Sequence, residues 1–381
     1  MKLRLGMVGG GPGAFIGAVH RMAARLDGRY ELVAGAFSSD ETKSRETGDD
    51  LELSPDRVYG SYEQMATAEA ALGANSRIQV VAIVTPNHLH YPIAKTFLEH
   101  GIHVVCDKPL TTTLADAEHL CTLAAESGLV FALTHNYTGY PMVKEARARI
   151  QAGEIGSVRK VVVEYSQGWL STLLEAEGQK QASWRSDPEQ GGPSAVLGDI
   201  GSHAHNLVRY VTGLEVQRLF ADLGTVVEGR ELDDDATVLL ELDGGVRGLL
   251  FASQIATGER NHLRLRVYGS EGALDWSQED PNRLRLISPD GSERVYYRGA
   301  GDLSAAAVEH TRLPGGHPEG FIEAFANVYR NAAIAIESGV TGGDFPSVQD
   351  GAHGVHFIHS AVASHKEGQW VAAAYSPPAT S

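Results

Sequence analysis

Near its beginning the chain reads Leu3-Arg4-Leu5-Gly6-Met7-Val8-Gly9-Gly10-Gly11-Pro12-Gly13, an apolar stretch that runs directly into a glycine-rich turn. The apolar residues predict a buried β-strand, and the spacing after the turn predicts a helix over residues 16–26. A strand, a glycine turn and a helix in this order are typical of the start of a doubly wound α/β domain. The stretch therefore predicts the fold class of the first part of the chain.

Strand and helix patterns alternate as far as residue 135. Helices are predicted at 91–100 and 114–127, and strands at 3–8, 30–37, 80–85, 103–106 and 130–134. Short continuous apolar runs of this kind indicate strands that are buried on both faces. We therefore expect a parallel sheet with right-handed crossovers, that is, an α/β Rossmann domain over residues 1–138.

After residue 140 the pattern changes to longer strands joined by glycine-containing turns. Helices are predicted at 143–152, 320–338 and 350–366, and strands at 158–165, 216–223, 236–242, 247–253 and 263–268. Hairpin turns between consecutive strands favour antiparallel pairing. We expect residues 139–381 to form an α+β domain with a large, mostly antiparallel, open-faced sheet.

Composition narrows the class of protein. The formal net charge of −16 argues against a general binder of nucleic acid or of anionic membranes, since both need a basic face. The two cysteines, Cys106 and Cys121, lie in apolar or helical patterns, and no metal-ligand cluster is seen, so we expect neither a disulfide framework nor a metal site. The apolar run after Lys2 is too short for a secretory signal or a membrane span, and we expect a cytoplasmic protein.

The glycine turn is a candidate phosphate-binding loop. Its backbone N–H groups, together with the positive end of the following helix, can face a pyrophosphate. Gly9, Gly11 and Ala14 match the G-x-G-x-x-A form of the dinucleotide fingerprint, and Gly17 is the alternative third glycine. We expect a nicotinamide cofactor to be held by the loop and the first helical turn, namely by Gly9, Gly11, Pro12, Gly13, Ala14, Phe15 and Ile16.

The end of the second strand bears on the choice between NAD and NADP. Asp40 stands where an acid binds the ribose of NAD, although it is equally suited to cap the next helix. Ser38, Ser39 and Lys43 are suited instead to accept a 2′-phosphate. The sequence leaves both cofactors open.

A lysine stands directly after a predicted buried strand in a third segment, Gly101-Ile102-His103-Val104-Val105-Cys106-Asp107-Lys108-Pro109. Ligands of open α/β sheets lie outside the carboxyl ends of the strands. Lys108 is therefore expected where the reactive ring of the cofactor lies, and the alternative is a solvated loop lysine.

A helix whose first turn carries Asp199 and His203 is predicted from the segment Gly198-Asp199-Ile200-Gly201-Ser202-His203-Ala204-His205-Asn206. Four residues apart, the two share a helix face, and a histidine oriented by a carboxylate is a competent acid or base near neutral pH. The alternative is that Asp199 caps the helix and His203 packs locally. His205 points away and is expected to be structural.

Taken in order, these segments resemble the Gfo/Idh/MocA oxidoreductases, which include glucose–fructose oxidoreductase and inositol dehydrogenase. The family's T-P-N-x-x-H, E-K-P and D-x-G-x-H segments are similar to Thr85-Pro86-Asn87-His88-Leu89-His90, Asp107-Lys108-Pro109 and Asp199-Ile200-Gly201-Ser202-His203. The resemblance implies NAD(P)-dependent hydride transfer on a secondary hydroxyl of a sugar, glycoside or cyclitol. It also implies a homodimer or homotetramer joined through the open-faced sheet.

The resemblance assigns Lys108, Asp199 and His203 to catalysis, and further cofactor contacts to Thr85, Pro86, Asn87, His90, Asp107 and Lys108. Asp107 replaces the family's usual glutamate, and Asn206 replaces its acid after the histidine. By that implication His203 removes the hydroxyl proton, Asp199 orients it, and Lys108 stabilises the developing alkoxide.

A polyhydroxylated ring is best bound by aromatic faces and hydrogen-bond donors. The expected substrate-binding residues are of these types: His135, Tyr137, Trp184, Arg185, Asn206 and His317. Two other functions remain open, a glycosidase that uses bound NAD for a transient oxidation and a non-enzymatic regulator. The regulator is disfavoured because the chain keeps Lys108, Asp199 and His203.

Overall fold

The computed structural model describes residues 2–378, which form two compact units. The first unit contains the chain up to His135 together with residues 325–352. The second contains residues 136–324 and 353–376. The helices of the described residues include none that is both long and apolar enough to cross a membrane.

The first unit is a parallel five-stranded sheet with the strand order β2-β1-β3-β4-β5. The order reverses at β1, so the carboxyl ends of β1 and β3 flank the crevice in which such folds bind ligands. This confirms the predicted Rossmann fold. Its elements are β1 (Leu3–Gly9), α1 (Phe15–Leu26), β2 (Tyr30–Ala36), α2 (Glu41–Asp50), α3 (Tyr62–Ala71), β3 (Val80–Val84), α4 (His90–Glu99), β4 (His103–Cys106), α5 (Leu114–Ser127) and β5 (Phe131–Leu133).

The second unit is built on a nine-stranded sheet with the order β13-β12-β11-β10-β6-β9-β8-β7-β14. Only the β6–β9 pair among these is parallel, so the predicted, mostly antiparallel sheet is confirmed. The elements are α6 (Pro141–Gln151), β6 (Val158–Ser166), α7 (Lys180–Arg185), α8 (Pro188–Gly191), α9 (Ser202–Thr212), β7 (Val216–Gly224), β8 (Asp235–Leu242), β9 (Arg247–Ser253), β10 (His262–Gly269), β11 (Ala273–Ser277), β12 (Arg283–Ile287), β13 (Glu293–Tyr297), α10 (Ala305–Glu309), α11 (Phe321–Ser338), α12 (Val348–Glu367) and β14 (Val371–Ala372).

The segment 325–352 departs from the expected division of the chain, which assigned all residues after 138 to one domain. It belongs to the first unit: the Leu133 amide donates to the Pro346 carbonyl at 2.7 Å, and the Tyr30 hydroxyl donates to the Tyr329 carbonyl at 2.8 Å. The periodicity of α11 identifies it as a helix, but it does not say which core covers its apolar face. The boundary is therefore corrected by this returning segment.

In the second unit, α6 and α9 cover one face of the sheet. The core between them is built from alternate strand residues and from the apolar side of α9, including Leu207, Val208, Leu240, Leu265 and Trp276. This packing fixes the position of α9, the helix that begins beside Asp199 and carries His203. The sheet thus serves as a rigid support for the candidate catalytic residues.

Candidate functional site

The glycine loop lies at the carboxyl end of β1. Gly9, Gly10 and Gly13 have φ values of 85°, 77° and 75°, a conformation that favours glycine. A Cβ on Gly17 would lie 2.5 Å from the Cα of Gly10, so a glycine is required there for the close approach of α1 to the loop. Because close helix–strand packing is the role of the third fingerprint glycine, Gly17 fills it, and Ala14 precedes α1 as its cap residue.

The loop after β2 is organised by Asp40. Its Oδ1 atom accepts hydrogen bonds from the amides of Thr42 (3.0 Å) and Lys43 (3.2 Å), so Asp40 caps α2. The Lys43 ammonium lies 3.8 Å from the other carboxylate oxygen, and the Ser38 hydroxyl accepts from the Asp40 amide. Ser39 and Lys43 are exposed beside this cap. The loop therefore presents both an acid and an ammonium group at the position that contacts the adenosine ribose in this fold.

His90 is a brace between two loops. It is fully buried, with Nδ1 2.8 Å from the Pro109 carbonyl and Nε2 3.0 Å from the Thr85 carbonyl. Burial lowers the pKa of His90, while the charge of Asp107 and the two carbonyls oppose that effect. The expected cofactor contact of His90 is corrected accordingly: its ring nitrogens face the main chain and tie Thr85 to the turn after Lys108.

Asp107 holds the turn in which Lys108 lies. Its Oδ1 atom accepts from the Thr134 hydroxyl at 2.7 Å and from the Lys108 amide at 3.0 Å. Lys108 is half-buried directly beyond β4, and Pro86 and the buried Asn87 lie beyond β3, the adjacent strand. Parallel strands bring these residues to one edge of the sheet, as expected from the sequence.

In the second unit, Asp199 lies in a π-helical turn over Leu197–Gly201 that runs into α9. The sequence predicted a simple α-helix here, and such one-turn π segments are frequent at functional sites. The Asp199 carboxylate accepts from Arg185 Nε at 3.1 Å and from Gln254 Nε2 at 2.7 Å. Both carboxylate oxygens therefore accept a hydrogen bond from a side chain. Arg185 was among the predicted site residues, and Gln254 was not.

The His203 imidazole lies against an aromatic pair. Its ring centroid is 4.8 Å from that of Tyr137 in an edge-to-face contact and 6.3 Å from that of Tyr165. The two tyrosine hydroxyls are 2.5 Å apart, and the Asn261 side chain bonds to both. Burial raises the pKa of both tyrosines, so they remain neutral hydrogen-bonding groups. Tyr165 and Asn261 were not among the predicted residues.

The period-two pattern of β6 was a signal that could have found Tyr165. Val161, Val163 and Tyr165 alternate with polar or less buried residues, so Tyr165 faces the side of the sheet that α9 covers. Asn261 and Gln254 lie in or beside loops without a distinguishing pattern. Only the folded chain brings them to Tyr137 and Asp199.

The remaining candidates have different surroundings. His205 stacks on Phe357 with ring centroids 4.4 Å apart. Asn206 is buried, and among the described residues its Oδ1 atom has no donor. His135 is buried after β5, and the Trp184 ring stacks on Arg185. The side chain of His317 is exposed, and its main-chain carbonyl accepts a hydrogen bond from Arg298. The surroundings of His317 therefore give no support for its expected substrate contact.

No group of three or more His, Cys, Asp or Glu side chains suited to a metal ion occurs within residues 2–378. The glycine loop and Lys108 belong to the first unit. The second unit contains His203, the tyrosine pair and Asp199, which we call clamped because Arg185 and Gln254 donate to its two carboxylate oxygens.

Family comparisons agree with this division. Residues 3–135 match the family described as an oxidoreductase family with an NAD-binding Rossmann fold, and residues 143–275 match the Gfo/Idh/MocA C-terminal domain. The chain belongs to the Gfo/Idh/MocA family of oxidoreductases. This confirms the resemblance inferred from its motifs, and with it an enzyme of the NAD-binding Rossmann class.

Three similar proteins cover nearly the whole chain. The uncharacterized oxidoreductase YfiI of Bacillus subtilis is 33% identical, over 97% of this chain and 96% of its own. An oxidoreductase structure from Sinorhizobium meliloti is 47% identical, with a TM-score of 0.87 over 97% of this chain and 99% of its own. An inositol dehydrogenase homolog from Azotobacter vinelandii, in complex with NADH and myo-inositol, is 36% identical, with a TM-score of 0.91 over 98% of each chain.

A buried carboxyl next to the π-helical turn gives a prediction about stability. Asp233 Oδ1 accepts from the Ser194 hydroxyl and the Val196 amide, and burial raises the pKa of Asp233 to about 6. The fold favours its protonated form, so this contribution is present below about pH 4 and is lost as the pH rises through about 6. Asp233→Asn keeps the acceptor oxygen without the charge. At pH 8 it should raise the free energy of unfolding by up to about 3 kcal/mol.

Chemical denaturation at pH 4 and at pH 8 measures the difference between the variant and the unmodified protein. The exposed carboxylate of Asp56 provides the control, since it is solvated in the folded and unfolded states alike and Asp56→Asn should change the free energy of unfolding little and equally at both values. A constant difference between Asp233→Asn and the unmodified protein across this range would contradict the prediction.

Proposed function

We propose that this protein is an NAD-dependent dehydrogenase that oxidises a secondary hydroxyl of a cyclitol, sugar or glycoside. The observation that carries the proposal is the clamped Asp199 carboxylate at the start of the helix that presents His203 against Tyr137. An acid–histidine pair on a rigid helix, with an aromatic support, suits removal of a proton from an alcohol.

The loop of the first unit fits a dinucleotide. Apart from Gly13 and its two neighbours in the chain, no atom of the described residues lies within 4 Å of the place where a Cβ on Gly13 would stand, and Phe15 nearby is 67% exposed. Backbone N–H groups there, at the beginning of α1, suit a pyrophosphate. Asp40 is the acid proposed for the ribose, while Ser38, Ser39 and Lys43 line the same turn. When bound, NAD supplies a hydride acceptor.

The other roles follow from the chemistry of the side chains. The His203 imidazole takes the hydroxyl proton, the Asp199 carboxylate orients it, and the Lys108 ammonium stabilises negative charge on the substrate oxygen. Asn206 offers a buried carbonyl oxygen that lacks a protein donor among the described residues, which suits a substrate hydroxyl. The aromatic side chains of Tyr137 and Trp184 suit the C–H face of a ring.

A substrate panel tests the proposal. The purified protein is mixed with NAD⁺ or NADP⁺ and with myo-inositol, scyllo-inositol, glucose or methyl glucoside, and reduced nicotinamide is followed by its absorbance. We expect oxidation of at least one of these compounds, with NAD⁺ preferred, and none of cyclohexanol, which has a secondary hydroxyl without the neighbouring hydroxyls. Release of the methoxy group without accumulation of reduced cofactor would indicate a glycosidase instead.

The outer face of the second-unit sheet supports a proposal about assembly. Phe220, Leu239 and Leu249 are cross-strand neighbours on β7, β8 and β9, and Leu239 is 42% exposed. Strands β10–β13 continue this face with a ladder of paired charges, Arg264, Asp275, Arg285 and Glu293. A two-fold axis pairs a face with itself, and an apolar patch beside balanced charges is suited to such pairing. We propose that a second copy covers it, in a homodimer or homotetramer.

Leu239→Arg should therefore disrupt the assembly, because it places an unpaired charge in the apolar part of the interface. Light scattering should give a multiple of 40.7 kDa for the unmodified protein and about half or less of that mass for the variant. Val340→Arg, which changes a half-exposed valine in a loop of the first unit, should leave the mass unchanged. A stable monomer of the unmodified protein at micromolar concentration would contradict the proposal.

A further inference from the structure

The carboxylate of Asp199 is held by two side chains from separate parts of the second unit. Gln254, which is only 1% exposed, follows β9, and its main-chain amide donates to the Asp234 carbonyl while its own carbonyl accepts from the Leu170 amide. With its backbone fixed on both sides, Gln254 donates from Nε2 to Asp199 Oδ2 at 2.7 Å. The amide side chain thus reaches Asp199 from a rigid position.

The second donor comes from residues 167–187, which we call the strap and which connects β6 to α8. At its end, Arg185 donates from Nε to Asp199 Oδ1, while its Nη1 donates to the main-chain and side-chain oxygens of Gln181. The guanidinium also stacks on the Trp184 ring, 4.2 Å from its centroid. These contacts restrict the guanidinium to one orientation relative to Asp199.

The strap is itself anchored by Arg230. This buried guanidinium donates to the Leu170 and Thr172 carbonyls, to both carboxylate oxygens of Glu175 and to Asp234 Oδ2, at 2.7–3.1 Å. An arginine has five N–H donors, and all five are used here. Arg230 and Asp234 both lie in the loop between β7 and β8, and the Asp234 carbonyl accepts from the Gln254 amide. This loop therefore supports both side chains that donate to Asp199.

We propose that Gln254 and Arg185 are positioning residues that hold the Asp199 carboxylate in one orientation for its work on His203, with Arg185 also offsetting part of its charge, an inference that rests on the proposed dehydrogenase function. Hydrogen bonds to a carboxylate from an amide and from a guanidinium favour its charged form and fix its plane. The rings of Tyr137 and Tyr165 lie against His203, and burial raises the pKa of both, so these two groups carry no charge. Arg185 forms an ion pair with Asp199 at 3.1 Å and so offsets part of its charge.

Variants of the two donors separate positioning from substrate binding. Arg185→Met removes the positive charge beside Asp199, and Gln254→Glu adds a negative charge beside it, so both leave more net negative charge at the start of the helix that carries His203 and should move the acid limb of the kcat/KM profile to higher pH by about half a unit to one unit. Both should lower kcat by roughly tenfold to a hundredfold, as losses of such supporting hydrogen bonds do. Arg185→Lys keeps the charge and should leave the limb in place with a smaller loss of kcat.

Other outcomes overturn the proposal. A substrate-binding arginine would raise KM with kcat and the acid limb unchanged, and a purely structural one would lower the active fraction without moving the limb. The control is Arg294→Met, since Arg294 also pairs with a carboxylate, Asp302, and stacks on an aromatic ring, Tyr296, but lies on β13, which four other strands separate from β9. It should leave kcat and the limb unchanged.

A measurement without substrate distinguishes failure of this inference from failure of the proposed function. In the NAD-bound protein with ¹⁵N-labelled histidines, the pKa of His203 is followed by NMR, with His203→Gln used to assign its signal. We expect a higher pKa in Arg185→Met and Gln254→Glu and the unmodified value in Arg185→Lys. An unchanged pKa in the first two variants overturns the positioning role even if every compound of the panel is oxidised, and the predicted shifts sustain it even if none is.

Discussion

Replacing Lys108 with methionine is expected to lower kcat by roughly 10²–10³-fold, which corresponds to about 2.7–4 kcal/mol of lost transition-state stabilisation, by analogy with the removal of one oxyanion donor. Lys108 follows β4 at the ligand-binding edge of the first-unit sheet, in a turn held by Asp107 and by His90. Methionine has a side chain of similar length without the ammonium group. The change therefore removes charge stabilisation while retaining most of the packing.

The measurement is steady-state kinetics on the best substrate of the panel, together with the NAD affinity from a binding titration. NAD affinity should change less than kcat, because the proposed contact of the ammonium is with the reacting oxygen. Lys95→Met is the matched control, since Lys95 is a partly exposed helix lysine paired only at the surface with Glu99. Near-normal turnover of Lys108→Met would remove Lys108 from the proposed catalytic residues.

The second large effect is expected for His203→Ala, which should lower kcat by about 10²–10⁴-fold, the usual contribution of a positioned general base. Activity should recover in part at high pH, where solvent base replaces the imidazole. Asp199→Asn should cause a smaller loss, because it removes the charge that orients His203 but leaves the base in place. The pH dependence of kcat for the three proteins measures these differences.

His205→Ala serves as the comparison for His203. His205 stacks on Phe357, so its loss should lower thermal stability while leaving kcat within a few-fold of the unmodified value. If His205→Ala abolishes turnover and His203→Ala is mild, the proposed base is the wrong histidine.

Local sequence patterns were sufficient for the first-unit sheet. Each of its five strands is a short apolar run, and the helices α4 and α5 end next to glycines with positive φ, Gly101 and Gly128. No bounds were predicted for α2 and α3, although a helix after Asp40 was expected, because α2 has almost no apolar periodicity and is marked mainly by its cap. In the second unit, strands β11–β13 were missed because each is only five residues long and because charged residues interrupt their apolar pattern.

The candidate site likewise has parts that the sequence patterns indicated and parts that they did not. The motifs around Gly9, Lys108 and His203 are contiguous, so residue type and spacing alone indicate their chemistry. The third glycine of the loop was left between two candidates, and only the 2.5 Å approach of Gly17 to Gly10 decides it. His90 fits the family's segment, but its burial between two carbonyls, which makes it a brace, is a property of the folded loops.

By itself, the sequence determined the fold class, the family and the position of the glycine loop, since strand burial, turn formation and motif spacing depend on residues close together in the chain. Only the tertiary structure decided that Asp199 is clamped, because its donors lie 14 and 55 residues away and reach it through β9 and the strap. The same holds for the return of residues 325–352 to the first unit. Such contacts depend on which apolar faces bury one another, and periodicity records that a face is apolar without naming its partner.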